Sequence, residues 1–203
     1  MANNASKVIH YYFSINSPFA YLGSRELERI AREQRAEVRV KPVSLRAIFP
    51  QTGGLPLPKR SKERQAYRFV ELKRWREHRD MPLVLEPPYY PSPEEPASCA
   101  VLAAATVGGD PLRLAHAIMR ALWAEERNIA EHAVLQEIAE AAGHHGLAVM
   151  AKAADPETRD AFEQATREAL SAGVFGSPWY VYNGEPFWGQ DRLDFLERAL
   201  AWS

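Results

Sequence analysis

Cysteine is almost missing from this chain: one residue, Cys99, in 203. A lone thiol excludes an intrachain disulfide, a Cys-x-x-Cys redox pair and a four-thiolate zinc site. Long apolar runs are missing too; none approaches the roughly 20 residues of a membrane helix. Nor is there an excess of either charge, since 25 Lys and Arg stand against 26 Asp and Glu, a formal net charge of −1. That balance gives no electrostatic reason to expect nucleic acid or an anionic membrane as a partner. The opening stretch, Met1 to Lys7, lacks the apolar core of a signal peptide, so a cytoplasmic globular protein is expected. His144-His145 is the only hint of a metal site; neighbours on a helix point apart and no third ligand stands near, so none is expected.

Present instead is a clear order of elements. Val8 to Phe13 is an apolar, β-branched and aromatic run, short enough for an interior strand. At Ser17-Pro18 it turns into a helix that continues to about Gln34. Serine suits the N-cap because its hydroxyl accepts from an orphan first-turn amide, and proline suits the first helical position. Val38 to Val43 alternates as a second strand, completing a βαβ unit. Gln51 to Pro58 is turn-rich, a basic helix follows from about Lys62 to Arg79, and Met81 to Pro96 is a proline-dense loop. From Glu94 to about Ala172 the pattern is helical. Asp110-Pro111, Glu131 and Asp155-Pro156 are starts, and Gly108-Gly109, Gly143 and Gly173 are stops.

Strand character returns at Trp179 to Tyr182, and Asn183-Gly184 before Phe187-Trp188 is a hairpin signal. Gln190 to Trp202 is an amphipathic closing helix, with Leu193, Leu196 and Leu200 on one face. The expectation is an α/β fold: a thioredoxin-like βαβ…ββα domain (residues 1–50 and 173–203) interrupted by a helical insertion domain (51–172). In such a fold the start of the first helix, with its free N–H groups and partial positive charge, favours an anion, and that anion would be a sulfur.

Three stretches carry a resemblance. Phe13-x-x-x-Ser17-Pro18-Phe19-x-Tyr21-Leu22 resembles the active-site turn of 2-hydroxychromene-2-carboxylate isomerases and kappa-class glutathione transferases, within the DsbA-like thioredoxin superfamily. Tyr67 to Trp75, with Pro82-Leu83, resembles their first inserted helix. Gly173 to Pro178 and Phe187 to Leu193 resemble their C-terminal signature. Where redox relatives hold Cys-x-x-Cys, this chain has Ser17-Pro18-Phe19-Ala20. Serine does not exchange disulfides. It can donate a hydrogen bond to a thiolate brought by glutathione, and the helix start would lower that thiol's pKa.

The resemblance implies a glutathione cofactor held by Ser17, Phe19, Ser177, cis-Pro178, Trp188, Gly189, Gln190, Asp191 and Arg192, with Ser17 catalytic. The backbone of Ser177 would pair with the cysteinyl unit, and Asp191 would meet the γ-glutamyl ammonium. Lys59 and Tyr89 fall near positions that contact a small aromatic carboxylate substrate; Lys59 would pair with its carboxylate and Tyr89 would line its aromatic side. A homodimer is also implied. Two departures stand out: the family often has an acid where Ser14 stands and an asparagine near Gly54.

Taken without the resemblance, Ser17 is an ordinary cap, and Asp191-Arg192 and Lys59 to Arg64 are solvated charges. Tyr89-Tyr90 then packs a loop, and Cys99 among alanines is an inert buried thiol. The expected activity is glutathione-dependent cis–trans isomerisation in aromatic catabolism. A kappa-like transferase or peroxidase, and a non-catalytic thioredoxin-like binding protein, are the alternatives.

Overall fold

The computed structural model describes residues 6–202; Met1 to Ala5, most of the stretch weighed as a leader, lie outside them. Strand β1 (Val8–Phe13) sends Ile9, Tyr11 and Phe13 into one apolar cluster and Tyr12 into another on the opposite side. That is the period-2 alternation of a strand covered on both faces. Strand β2 (Glu37–Pro42) pairs with it in parallel, Val8 opposite Glu37 through Phe13 opposite Pro42. Between them runs helix α1 (Pro18–Gln34), which ends where Arg35 turns left-handed with φ 54°.

Strand β3 (Trp179–Tyr182) lies antiparallel on the other side of β1, and β4 (Glu185–Trp188) closes the sheet in the order β2-β1-β3-β4. The β3–β4 link has positive φ at both Asn183 (48°) and Gly184 (81°), the requirement of a tight hairpin turn whose twist matches the strands. Because β1 and β3 are antiparallel, the end of β1 and the beginning of β3 share one edge of the sheet. The turns that hold Ser17, Ser177–Pro178 and Gly189 grow from that edge.

Between β2 and β3 come α2 (Leu45–Thr52), α3 (Lys62–His78), α4 (Glu94–Thr106), α5 (Pro111–Trp123), α6 (His132–Ala141), α7 (Gly146–Ala153) and α8 (Pro156–Ser171), and α9 (Leu193–Ala201) ends the chain. Helix α2 differs from the expected turn. Gln51-Thr52 is helical, Ser44 caps the start by accepting from the Ala47 amide, and Pro50 lies inside the helix, where it has no N–H for the Arg46 carbonyl. The turn begins only at Gly53, φ 75°. Helix α7 is likewise separate, its cap made by His145, whose Nδ1 accepts from the Ala148 amide at 3.2 Å. Among the described residues no helix is long and apolar enough to cross a membrane.

One apolar cluster runs from the sheet (Tyr11, Tyr180) through α1 (Leu27, Ile30) into α4 (Val101), α5 (Leu114, Trp123) and α6 (Leu135). The seam between α1 and α5 contains a buried polar pair. The Ser24 hydroxyl donates to the Tyr21 carbonyl at 2.6 Å, and His116 Nδ1 lies 2.6 Å from the same oxygen. With that hydroxyl proton engaged, Nδ1 is the donor and the ring is neutral. Burial, then Arg25 and Arg120, hold the His116 pKa down at about 4 from an ordinary 6.5.

The unfolded chain therefore binds the extra proton between about pH 6.5 and 4 while the folded chain does not, so this histidine makes stability fall as pH drops through that window. The expected loss is about 2–3 kcal/mol, present in the native protein and absent from a His116→Asn variant when urea unfolding is compared at pH 7 and 4.5. Equal losses in both proteins would contradict a buried neutral imidazole.

Candidate active site

The first turn of α1 is built from Ser17. Its side-chain oxygen accepts from the Ala20 amide at 3.1 Å, and its hydroxyl proton goes to the Ser177 carbonyl at 3.2 Å. Pro18 has no N–H and the Tyr21 amide bonds to the Ser17 carbonyl. Among the described residues the Phe19 amide is therefore the first-turn donor without a partner. A helix start with a free amide and a hydroxyl at its tip favours an anion.

Facing it is the Ser177–Pro178 bond, which is cis. It leads into β3, so the antiparallel sheet sets it against the end of β1. The Ser14 amide donates to Ser177 Oγ at 2.9 Å, and the Gly189 amide donates to the Pro178 carbonyl at 2.9 Å. Gly189 has φ 99°, a conformation that L side chains rarely adopt. That contact brings the short helical turn Gln190–Arg192 onto the same proline.

The structure thus joins Ser17, Ser177, Pro178 and Gly189 directly, with Phe19 half-buried in the first turn. Trp188 pairs with Trp179 across the hairpin and is 52% exposed; the Phe175 ring lies edge-on to both at 4.7 Å. Gly176 permits this, since a Cβ there would stand 2.5 Å from Trp188 Nε1. Asp191 and Arg192 are exposed and paired to each other at 2.9 Å. Gln190 is instead buried: Arg79 donates to its side-chain oxygen and to its carbonyl, each at 3.3 Å. Lys59 ends an exposed turn (Leu57–Lys59) and Tyr89 is 43% exposed. Among the described residues no hydrogen bond ties either to Ser17.

Several supporting residues were not anticipated. Asn16 pairs with Ser92 in both directions: Nδ2 donates to the Ser92 carbonyl at 2.8 Å and Oδ1 accepts from its amide at 2.9 Å. Glu94, in the first turn of α4, receives the Ser14 hydroxyl on Oε1 at 2.8 Å and the Ser44 hydroxyl on Oε2 at 2.6 Å. The Leu45 amide also reaches Oε1, at 3.3 Å. A carboxylate thus stands against position 14 after all, supplied from 80 residues away. Its only local signal was acid at a helix start, which is common everywhere.

The one thiol of the chain is far from this chemistry in character. Cys99 is buried on α4, and burial, with Glu95 adding to it, pushes its pKa up to about 11.

Fold and turn together define a thioredoxin-like protein whose first helix is headed by serine. The model of the DSBA-like thioredoxin domain matches residues 8–201, and the chain belongs to that family. By sequence it is similar to a 2-hydroxychromene-2-carboxylate isomerase of Sphingobium xenophagum, 27% identical over 197 residues that cover 96% of this chain and 98% of the relative. By structure it is similar to a solved 2-hydroxychromene-2-carboxylate isomerase, with a TM-score of 0.83 at 23% identity over 96% of this chain and 94% of that one. It is also similar to the cytosolic disulfide reductase DsbM from Pseudomonas aeruginosa, solved with GSH, with a TM-score of 0.66 at 21% identity over 96% and 99% of the two chains. At those identities the two structural likenesses establish the fold.

Removing the Glu94 carboxylate strands two hydroxyls and an amide at the base of the turn. Glu94→Ala is expected to destabilise the protein by about 2–3 kcal/mol in urea unfolding, since unmade bonds to a charged acceptor carry that cost. A loss within error of zero would show that water replaces the carboxylate freely.

Proposed function

We propose that this chain is a glutathione-dependent isomerase that interconverts 2-hydroxychromene-2-carboxylate, or a related aromatic carboxylate, with trans-o-hydroxybenzylidenepyruvate. The observation that carries the reading is the Ser17 hydroxyl at the head of α1, 3.2 Å from the carbonyl before the cis proline. It offers a proton to an anion, beside a free amide, in a protein whose own thiol is buried and un-ionised at neutral pH. A borrowed thiolate answers that arrangement. The names of the isomerase relatives and the GSH in the DsbM structure point the same way.

In this reading the glutathione sulfur docks at the α1 N-terminus, where the helix dipole and the Phe19 amide favour its ionised form. The Ser17 proton swings from the Ser177 carbonyl to the sulfur. The cysteinyl N–H of glutathione then takes its place on that carbonyl, adding an extended segment beside the Ser177 backbone. The γ-glutamyl end lies against Trp188 to Arg192, with Asp191 facing its ammonium. Gln190 contributes backbone there, because its side chain is engaged by Arg79. Lys59 and Tyr89 lie on the substrate side.

The thiolate then adds to the conjugated carbon of the ring-opened substrate, and the electron pair moves into the carbonyl as an enolate. The former double bond rotates as a single bond. Return of the electron pair re-forms the double bond in the trans geometry and expels the thiolate. Glutathione comes back unchanged.

Two measurements test this. Turnover should leave total thiol constant, whereas the transferase reading requires its depletion. Ser17→Ala should lower kcat by about 10²–10³-fold, the usual cost of one lost donor to a reacting anion, with a cap loss of about 0.5–2 kcal/mol in stability. Undiminished kcat in that variant would remove Ser17 from the mechanism.

A further inference from the structure

Arg68, on α3, is a half-buried cation that has no anionic partner among the described residues. Its guanidinium carbon stands 5.7 Å from the Tyr90 ring centre, 5.8 Å from that of Trp123 and 6.0 Å from that of Phe69. The Tyr90 and Trp123 rings themselves meet at 4.8 Å. Among the described residues no carboxylate pairs with it, and the nearby charge that acts on it, Arg60, is of the same sign. Its Nη2 is covered and has no acceptor, and the Nε1 donor of the adjoining Trp123 is in the same state.

Such an arrangement is incomplete. Ring faces attract the cation by about 0.5–2 kcal/mol each, yet they accept none of the N–H groups of the planar fork. Desolvating a charge without hydrogen-bonding it is costly, and the group that answers a guanidinium fork in kind is a carboxylate. The position is equally specific. Tyr90 leads through a cis bond into Pro91-Ser92, and Ser92 is held by two hydrogen bonds to Asn16, the residue before Ser17. The aromatic seat of Arg68 is therefore braced against the candidate thiolate turn, and Tyr89, next to Tyr90 in sequence, is exposed.

We propose that Arg68, seated on Tyr90 and Trp123 and paired with no carboxylate among the described residues, is the carboxylate anchor of the second-substrate site and selects aromatic acids over neutral analogues. This rests on the isomerase reading for the location of that site. The anchor fixes the acid end of the substrate while its conjugated carbon faces the sulfur. It acts on binding more than on the chemical step.

The test is calorimetric titration with trans-cinnamate and trans-cinnamamide, which differ in the carboxylate alone, run with and without glutathione. The native protein should prefer the acid by about tenfold or more, the range for hydrogen bonds to a charged group. Arg68→Met should abolish the preference, while Arg68→Lys, a point charge in place of a fork, should lose at least about threefold of it. Equal or unmeasurable affinity of the native protein for the acid, or a preference that survives Arg68→Met, overturns the proposal. Should Arg68→Met not fold, the Arg68→Lys ratio decides, and an unchanged ratio overturns it. Failure to bind glutathione would sink the isomerase reading separately, leaving the acid-to-amide ratio to judge Arg68 by itself.

Discussion

A serine hydroxyl has one proton to give, and the functional end of this molecule is arranged around where that proton points. In Ser17 the oxygen closes the first turn of α1 while the proton crosses to the carbonyl before the cis proline. The two elements are 160 residues apart in sequence. They meet because β1 and β3 run antiparallel, which puts the end of one strand and the start of the other on the same edge. The helix supplies positive potential and the loop supplies a carbonyl, so the hydroxyl can serve either partner with a small rotation. A docked anion would be welcomed there without rebuilding the fold.

The helical segment between β2 and β3 does more than sit beside the sheet. It sends Glu94 under Ser14 and Ser44, Ser92 into a pair of hydrogen bonds with Asn16, and Arg79 onto Gln190. Arg79 is in turn steadied by the Trp75 ring at 5.5 Å and by Glu26 at 3.5 Å. Each of these residues also reaches backbone: Glu94 takes the Leu45 amide, Asn16 bonds the Ser92 amide and carbonyl, and Arg79 donates to the Gln190 carbonyl. Preorganised turns of this kind cost little reorganisation when a charged ligand arrives, which is where such sites gain their advantage.

Most elements were legible locally. Ser17-Pro18, Asp110-Pro111 and Asp155-Pro156 announced helices, and Asn183-Gly184 announced the hairpin, because caps and tight turns are decided by neighbours within about four residues. Helix α2 was missed because Pro50 and the glycines after it outweigh a single serine cap in any local reading. The separate start of α7, inside a stretch read as helical, was missed because histidine is an uncommon cap. The candidate site was legible only in part. The serine turn and the Ser177–Pro178 junction could be named, while no local pattern singled out Glu94 or Arg79.

By itself the sequence determined the order of most strands and helices, the absence of a Cys-x-x-Cys pair in a chain with one cysteine, and the serine at the head of α1. Tertiary structure decided which groups surround that serine, which polar side chains are already engaged, and which cation is left unanswered. Gln190 turned inward to Arg79, Glu94 reached beneath Ser14, and Arg68 lay against aromatic rings with no carboxylate paired to it among the described residues. The reason is the range of the forces. Local rules act over one helical turn, whereas the partner of a charge is whatever the chain's topology carries to its side.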